Sequence, residues 1–184
     1  MKKVVFFSAV IAVPLFWWLK GTPPVQPEIS QDLPSYSDQI SAIQQKLKQD
    51  PNQAELWFQL GHGYLNEQDF NAALTCFDYA IRLSEQPTAS QFAAKATAQY
   101  YLNNQVIDEG VQQLLDKALE KEAANLTALS LIASDHFISF RYQQAIDTWT
   151  AMLDSQDREL DRASVIHSLN LAKQMLANNA SSTE

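Results

Sequence analysis

Histidine and cysteine are the residue types in this sequence best suited to metal or nucleophilic chemistry, but their spacing supports neither. The three histidines, His62, His136 and His167, fall in three separate helical segments, without the short spacing that a metal site requires. Cys76 has no partner thiol in the chain, and we expect it to be a small, half-buried core residue. HExxH, CxxC, CxxCH, G-x-S-x-G and P-loop motifs do not occur. We therefore predict no catalytic residue, no metal, no cofactor and no enzyme activity.

A regular spacing of mainly apolar residues lies between Ala54 and Pro87, and it indicates a pair of packed helices. Two small residues, Gly61 and Ala73, would let two antiparallel helices approach closely where they cross. The polar stretch 66–69 would form the turn between them, with Asp69 as the cap of the second helix. The full pattern is Trp57, Leu60, Gly61 and Tyr64, then Ala73, Phe77 and Ala80. It resembles a tetratricopeptide repeat (TPR), a two-helix unit of roughly 34 residues.

This pattern recurs twice in degenerate form, beginning near Ala89 and near Leu126. The first of these copies needs about three extra residues in the turn 102–109, by the usual spacing of the repeat. Amphipathic helices are predicted on either side, at 35–50 and at about 157–177, and the last one would cap the array. Its apolar side would comprise Val165, Ile166, Leu169, Ala172, Met175 and Leu176. The predicted fold class is all-α: a TPR superhelix of about three helix pairs with flanking and capping helices, behind an N-terminal membrane helix.

The N-terminal segment has an apolar run of 16 residues, 4–19, between lysines. It is either an uncleaved membrane anchor or a secretory signal peptide. We favour the anchor, because the run ends in bulky residues and Lys20 instead of the small residues of a cleavage site. The positive-inside rule then predicts a single pass with the N-terminus in the cytoplasm and the rest of the chain outside the inner membrane. The predicted divisions are 1–20 anchor or signal peptide, 21–34 proline-rich linker, 35–178 TPR domain and 179–184 polar tail.

Charge narrows the class of partner. The formal net charge is −8, and three of the 13 basic residues, Lys2, Lys3 and Lys20, flank the apolar run. Phosphate binding needs clustered lysine and arginine, so no nucleic-acid partner is expected. An acidic domain suits a basic or neutral protein partner.

A binding groove is expected on the first helices of the repeats. The predicted groove residues are Phe58, His62, Leu65, Asn66, Thr97, Tyr100, Tyr101, Ser134 and Phe137, with Ala93, Ser130 and Ile138 on the same side. Their apolar, aromatic and small polar side chains suit an extended or helical peptide. The alternative that Tyr100 and Phe137 are core residues stays open. Because Tyr100 and Tyr101 are adjacent on one helix, they cannot both point into the same core, so at least one should face the groove.

Beyond the repeat itself, the chain resembles a more specific family. The matching stretches include Ile43 and Leu47, 50–52, 55–57, Tyr100-Tyr101, 116–119, 127–129, 133–135, 142–149 and 170–173. Over about residues 41–176 the sequence is similar to the TPR subunits of the bacterial cytochrome c maturation (haem lyase) system, of the NrfG, CcmH C-terminal and CcmI type. By resemblance to TPR domains that clamp a chaperone's C-terminal carboxylate, Phe58 and His62 stand where those domains carry lysine and asparagine. That clamp is therefore not expected here.

The resemblance implies a role without catalysis. A periplasmic TPR module would bind the C-terminal region of an apocytochrome c and present it to the haem lyase membrane subunits. The alternative is a generic membrane-anchored TPR scaffold for another envelope complex. Both hypotheses predict the same fold, and co-purified partners would distinguish them.

Overall fold

The computed structural model describes residues 36–181. The predictions for the membrane segment (1–20), the linker (21–34) and residues 182–184 lie outside the described residues. None of the described helices combines the length and the apolar character needed to cross a membrane.

Residues 36–181 contain eight α-helices and no β-strand. Each helix packs against the next one along the chain, which is the arrangement predicted for helix pairs. The helices are α1 (Tyr36–Gln49), α2 (Ala54–Asn66), α3 (Phe70–Leu83), α4 (Ala89–Leu102), α5 (Glu109–Lys121), α6 (Leu126–Ile138), α7 (Tyr142–Asp154) and α8 (Arg162–Ser181). The pairs α2–α3, α4–α5 and α6–α7 are the three repeats, with α1 and α8 at the ends.

The first pair crosses at a glycine, as predicted. A Cβ atom on Gly61 would lie 2.5 Å from Cε1 of Phe77, and the Phe77 side chain is fully buried. A side chain on Gly61 would therefore collide with the ring that the two helices share. The turn ends at Asp69, whose carboxylate accepts a hydrogen bond from the backbone N–H of Ala72 at 3.0 Å. This bond confirms the predicted cap of α3.

The second pair contains the predicted insertion. Six residues, 103–108, join α4 to α5, whereas three join the helices of each of the other two pairs. Two consecutive residues of this loop, Asn104 and Gln105, have left-handed φ angles of 55° and 61°. The loop ends at Asp108, whose side chain accepts a hydrogen bond from the N–H of Val111 at 2.8 Å and so caps α5. The extra length thus lies entirely between two regular helices.

The capping helix α8 differs from the prediction at both ends. It begins at Arg162, five residues after the expected start, because the Asp161 carboxylate accepts a hydrogen bond from the N–H of Ser164 at 3.1 Å. It continues to Ser181, three residues into the segment expected to be a polar tail.

The apolar side of α8 is also narrower than predicted. Val165, Leu169 and Ala172 are buried as expected, whereas Ile166 and Leu176 are 43% and 37% exposed. The prediction that these last two residues face the core is wrong. The reason is that α8 packs mainly against one helix, α7, and a single neighbour covers only a narrow stripe.

The core consists of clusters that each join two or three consecutive helices. One cluster holds Cys76 of α3 together with Ile40 and Leu47 of α1 and Leu60 of α2. Cys76 is therefore only 3% exposed, which corrects the expectation of a half-buried residue, because α1 covers it. Three further clusters join α3 to α4, α4 to α6, and α6 to α8. Successive repeats are thereby tied into one continuous array.

Candidate peptide-binding groove

A cleft of about 660 Å³ lies across the first helices of the second and third repeats and the start of α8. Residues of α6 line the cleft along the whole length of this helix, which has 13 residues and is about 20 Å long. That length suits about 13 residues of a helical ligand or about six residues of an extended one. The lining residues are Thr97, Tyr100, Tyr101, Gln105, Leu126, Thr127, Ser130, Leu131, Ser134, Ile138, Glu159, Leu160, Asp161, Ser164 and Val165.

The cleft brings together six of the predicted groove residues of the second and third repeats and leaves out those of the first. From α4 it includes Thr97, Tyr100 and Tyr101, and from α6 it includes Ser134, along with Ser130 and Ile138. Ala93 was predicted on the same side but is fully buried in the core, and it does not line the cleft. The Thr97 hydroxyl donates a hydrogen bond to the carbonyl of Ala93 at 2.9 Å, so it is held against its own helix.

The first-repeat candidates form an aromatic group of their own. The rings of Phe58 and His62 meet edge to face with centroids 4.6 Å apart, and His62 also meets Phe77 at 5.2 Å. Phe58 and Leu65 pack against the buried cluster that joins α3 to α4, and Asn66 is exposed at the end of α2. Desolvation lowers the pKa of His62, with the Glu55 charge acting in the opposite direction. These four residues do not line the cleft.

Tyr100 and Tyr101 point to different environments, as their adjacency on α4 requires. Tyr100 is 2% exposed and belongs to the buried cluster of α4, α5 and α6. Tyr101 is 40% exposed and stacks on Phe70 of α3 with ring centroids 5.1 Å apart. Tyr101 is thus the tyrosine that a ligand can reach over a broad area, while the Tyr100 ring forms the floor.

A buried polar group lies beneath the floor of the cleft. The Tyr100 hydroxyl is buried and makes no well-formed hydrogen bond within the described part of the chain, although the Asp135 carboxylate lies close to it. Burial, followed by the adjacent Asp135 carboxylate, raises the pKa of Tyr100 to about 12. Asp135, only 4% exposed, is paired with the guanidinium of Arg141. Tyr100 therefore remains a neutral phenol, and the buried charge of Asp135 is compensated by Arg141.

Phe137 faces the other side of α6. Its ring meets Tyr142 at 5.5 Å and Trp149 at 5.9 Å between centroids, and it packs against the buried cluster of α6, α7 and α8. It is half-buried and does not line the cleft. The neighbouring His136 accepts a hydrogen bond at Nδ1 from Nε of Arg141 at 3.0 Å. Desolvation, followed by the Arg141 charge, lowers the pKa of His136.

Among the lining residues that sequence reasoning missed, the two charged ones lie at the start of α8. Glu159 and Asp161 line the cleft and are its only charged residues in the described part of the chain. The helix predicted at about 157–177 includes both residues, whereas α8 begins after them, at Arg162. The signal that could have located them is the Asp161-x-x-Ser164 spacing before Val165, which is a cap pattern. Hydrogen bonds from Ser164 lower the pKa of Asp161, so its carboxylate is charged at neutral pH.

The chemistry available in this arrangement is that of binding. Across residues 36–181, no three His, Cys, Asp or Glu residues are grouped so that they could hold a metal ion. The cleft instead offers an exposed aromatic ring, aliphatic side chains, hydroxyl groups and two carboxylates. Such a surface can bind a peptide through apolar contact, hydrogen bonds and charge.

Comparison with known proteins places the chain in a family. A family model described as the cytochrome c-type biogenesis protein H TPR domain matches residues 31–163. The chain is 34% identical over 135 residues to the formate-dependent nitrite reductase complex subunit NrfG of Escherichia coli O157:H7, covering 73% of this chain and 68% of that protein. It is 38% identical over 133 residues to the bifunctional subunit NrfFG of Haemophilus influenzae, covering 72% of this chain but only 34% of that protein.

A solved structure supports the fold independently. The structure of the APC/C hetero-tetramer Cut9–Hcn1 matches with a TM-score of 0.67 at 17% identity, over 78% of this chain and 27% of that chain. At that identity the similarity concerns the fold alone, a superhelix of helix pairs. Fold, family model and relatives agree with the resemblance seen in the sequence: the chain belongs to the family of cytochrome c-type biogenesis TPR domains.

Proposed function

We propose that this chain is a recognition subunit of cytochrome c biogenesis that binds the C-terminal region of an apocytochrome c and presents it to the haem lyase. The observation that carries the proposal is the cleft across α4, α6 and α8, in a chain that belongs to this family. Its dimensions suit a short peptide, and its lining offers groups suited to binding one. The subunit would act without a cofactor, and haem attachment would be performed by its partners.

Calorimetric titration of the full-length chain with C-terminal peptides of the host's c-type cytochromes tests the proposal. Tyr101 is the best anchor to vary, because it is exposed in the cleft, whereas truncating Tyr100 would also open the core. Aromatic anchors commonly contribute about 2 kcal/mol, so Tyr101→Ala should weaken binding roughly 30-fold. Tyr79→Ala is the matched control, since Tyr79 is equally 40% exposed but lies on α3 outside the cleft.

Two results would contradict the proposal in different ways. Binding that Tyr101→Ala leaves unchanged would place the peptide site elsewhere on the domain. If no cytochrome peptide binds, the better interpretation is a membrane-anchored TPR scaffold for another envelope complex. Co-purification from membranes then identifies the assembly, because the recognition subunit requires haem lyase partners and the scaffold does not.

We also propose that residues 4–19 stay in the mature protein as a single inner-membrane anchor, with the TPR domain in the periplasm. The support is the sequence itself: two lysines precede the apolar run, and bulky residues follow it where a cleavage site needs small ones. N-terminal sequencing of the protein purified from membranes is the measurement. A mature N-terminus between residues 21 and 30 would contradict the anchor and indicate a signal peptide.

A further inference from the structure

The two ends of the cleft differ in chemistry. One end, here called the aromatic end, consists of Tyr101 and Ile138, which are 40% and 45% exposed at the C-terminal ends of α4 and α6. The other, the acidic end, consists of Glu159 and Asp161, just before and at the cap of α8. It lies toward the start of α6, because α7 runs back along α6 after a three-residue turn, and Arg162 at the start of α8 is hydrogen-bonded to Leu153 near the end of α7. The wall between the two ends carries small polar groups such as Ser130 and Ser134. An elongated ligand in the cleft therefore contacts an apolar surface at one end and negative charge at the other.

The charge of the acidic end is not compensated within the described part of the chain. Neither Glu159 nor Asp161 forms an ion pair with a described side chain, and no lysine or arginine lines the cleft. Arg162 is turned away, because Nη1 of its guanidinium donates a hydrogen bond to the carbonyl of Leu153 at 2.9 Å. Arg158, next to Glu159 in the chain, is exposed and does not line the cleft.

A competing field comes from the N-terminus of α8, whose peptide dipoles favour an anion. That field is equivalent to roughly half a positive charge, against two full carboxylate charges at the acidic end. The Asp161 side chain already accepts the N–H of Ser164, so the helix N-terminus is capped. Charge at this end is therefore net negative, and an α-carboxylate would be repelled there.

We infer that the cleft takes a cationic amphipathic peptide segment, with its basic side chains at the acidic end and its apolar face on the aromatic end. The overall charge of −8 acts in the same direction at longer range. The inference rests on the proposed function for the class of ligand, a segment of a client protein, and adds its charge and direction. Recognition would involve basic side chains within the segment, and the terminal carboxylate would make no favourable contact.

The test uses the full-length chain and two sets of probes. The first set is the C-terminal cytochrome peptides, each with a free carboxylate and as the C-terminal amide. The second is a synthetic 14-residue amphipathic helix with two lysines at one end, and its counterpart with two glutamates. Glu159→Lys is the informative variant, because Glu159 is exposed and, unlike Asp161, does not cap a helix. Glu120→Lys on the outer helix α5 is the matched charge reversal away from the cleft.

We expect Glu159→Lys to weaken binding of the lysine peptide about tenfold and to make that binding less dependent on salt. The reason is that the variant removes an exposed charge pair and replaces attraction with repulsion. Glu120→Lys should change the affinity less than twofold. The glutamate peptide should bind Glu159→Lys more tightly than it binds the unmodified chain, and this rescue excludes misfolding as the cause. Amidation of the cytochrome peptides should leave their affinity unchanged or improve it.

Each alternative outcome separates this inference from the proposed function. If cytochrome peptides bind the unmodified chain and Glu159→Lys equally, the inference is overturned while the function stands. The same holds if amidation weakens their binding tenfold or more. If only the synthetic lysine peptide binds, and does so through Glu159, the inference stands and the cytochrome client is wrong. If no probe binds, the inference is overturned together with the function.

Discussion

Replacement of Gly61 should destabilise the domain, although alanine is the better helix former. In a helix interior, Gly→Ala gains about 0.5–1 kcal/mol from the lower backbone entropy of the unfolded chain. Against this, the new Cβ would lie 2.5 Å from Cε1 and 2.6 Å from Cδ1 of Phe77. Contacts this short cannot persist, so the Phe77 ring or the helix α2 must move.

The ring has little room to move. Phe77 is fully buried, and its centroid lies 5.8 Å from that of Phe58 and 5.2 Å from that of His62. Overpacking of this kind costs about 1–3 kcal/mol. An approach of 2.5 Å to a fully buried ring belongs in the upper part of that range, about 2–3 kcal/mol, so Gly61→Ala should lose about 1–2 kcal/mol after the entropic gain is subtracted. For a domain of this size that is a decrease in Tm of roughly 3–6 °C, and Gly61→Leu, with three more carbon atoms, should lose roughly 10 °C.

Thermal melts followed by circular dichroism at 222 nm measure the effect. The matched control is Gly110→Ala in α5, because the nearest atom to its Cβ would be Nε2 of Gln99, at 2.6 Å, the far end of a flexible side chain, and Oδ1 of Asp108 at 3.4 Å is an ordinary van der Waals contact. Its Tm should stay within about 2 °C of the unmodified protein, since Gln99 can move at low cost. If Gly61→Ala melts as high as the control, the Phe77 ring can move and the close crossing is not what fixes the first pair.

Three further predictions concern single groups. Asp69→Ala removes the cap of α3 and should cost about 1 kcal/mol in a urea titration; no change in the midpoint would show that water replaces the carboxylate without loss. Desolvation lowers the pKa of His62 and His136, so these residues take up protons at a higher pH in the unfolded chain than in the folded one. The Tm should therefore stay constant above about pH 7.5 and fall as the pH drops through about 6.5, and it should fall less steeply in His62→Gln. Equal slopes of Tm against pH in the two proteins would contradict a contribution from His62. Burial raises the pKa of the Cys76 thiol to about 11, so the folded protein should react slowly with a disulfide reagent at pH 8 and rapidly once unfolded; fast reaction of the folded form would mean that α1 opens readily.

The sequence determined the helix pairs well, because their spacing depends on local rules. Gly61 at the crossing, Asp69 at a cap and the longer turn of the second repeat each follow from chemistry within about 34 residues. The terminal helix was less predictable. Ile166 and Leu176 are as apolar as their buried neighbours, and they are exposed because, among the described helices, α8 packs mainly against α7.

The candidate site depends on contacts between repeats, which the sequence does not show. Adjacency predicts that Tyr100 and Tyr101 face different ways, but only the packing of α6 on α4 decides that Tyr100 is the buried one. Glu159 reaches the cleft because the chain between α7 and α8 passes its mouth, a placement that no repeat offset describes. The first-repeat candidates lie outside this cleft, and their part in binding stays a prediction.

The turns within the helix pairs have a consequence for how stable this domain can be made. Gln68, Asn104 and Phe140 occupy equivalent positions in the three turns, with left-handed φ angles of 61°, 55° and 61°. This conformation costs most residues about 1–2 kcal/mol, costs asparagine less and costs glycine almost nothing. The chain has no glycine at any of the three, and it places a 75% exposed phenylalanine at one of them. Glycine at these three positions should therefore stabilise the protein without altering the core or the cleft.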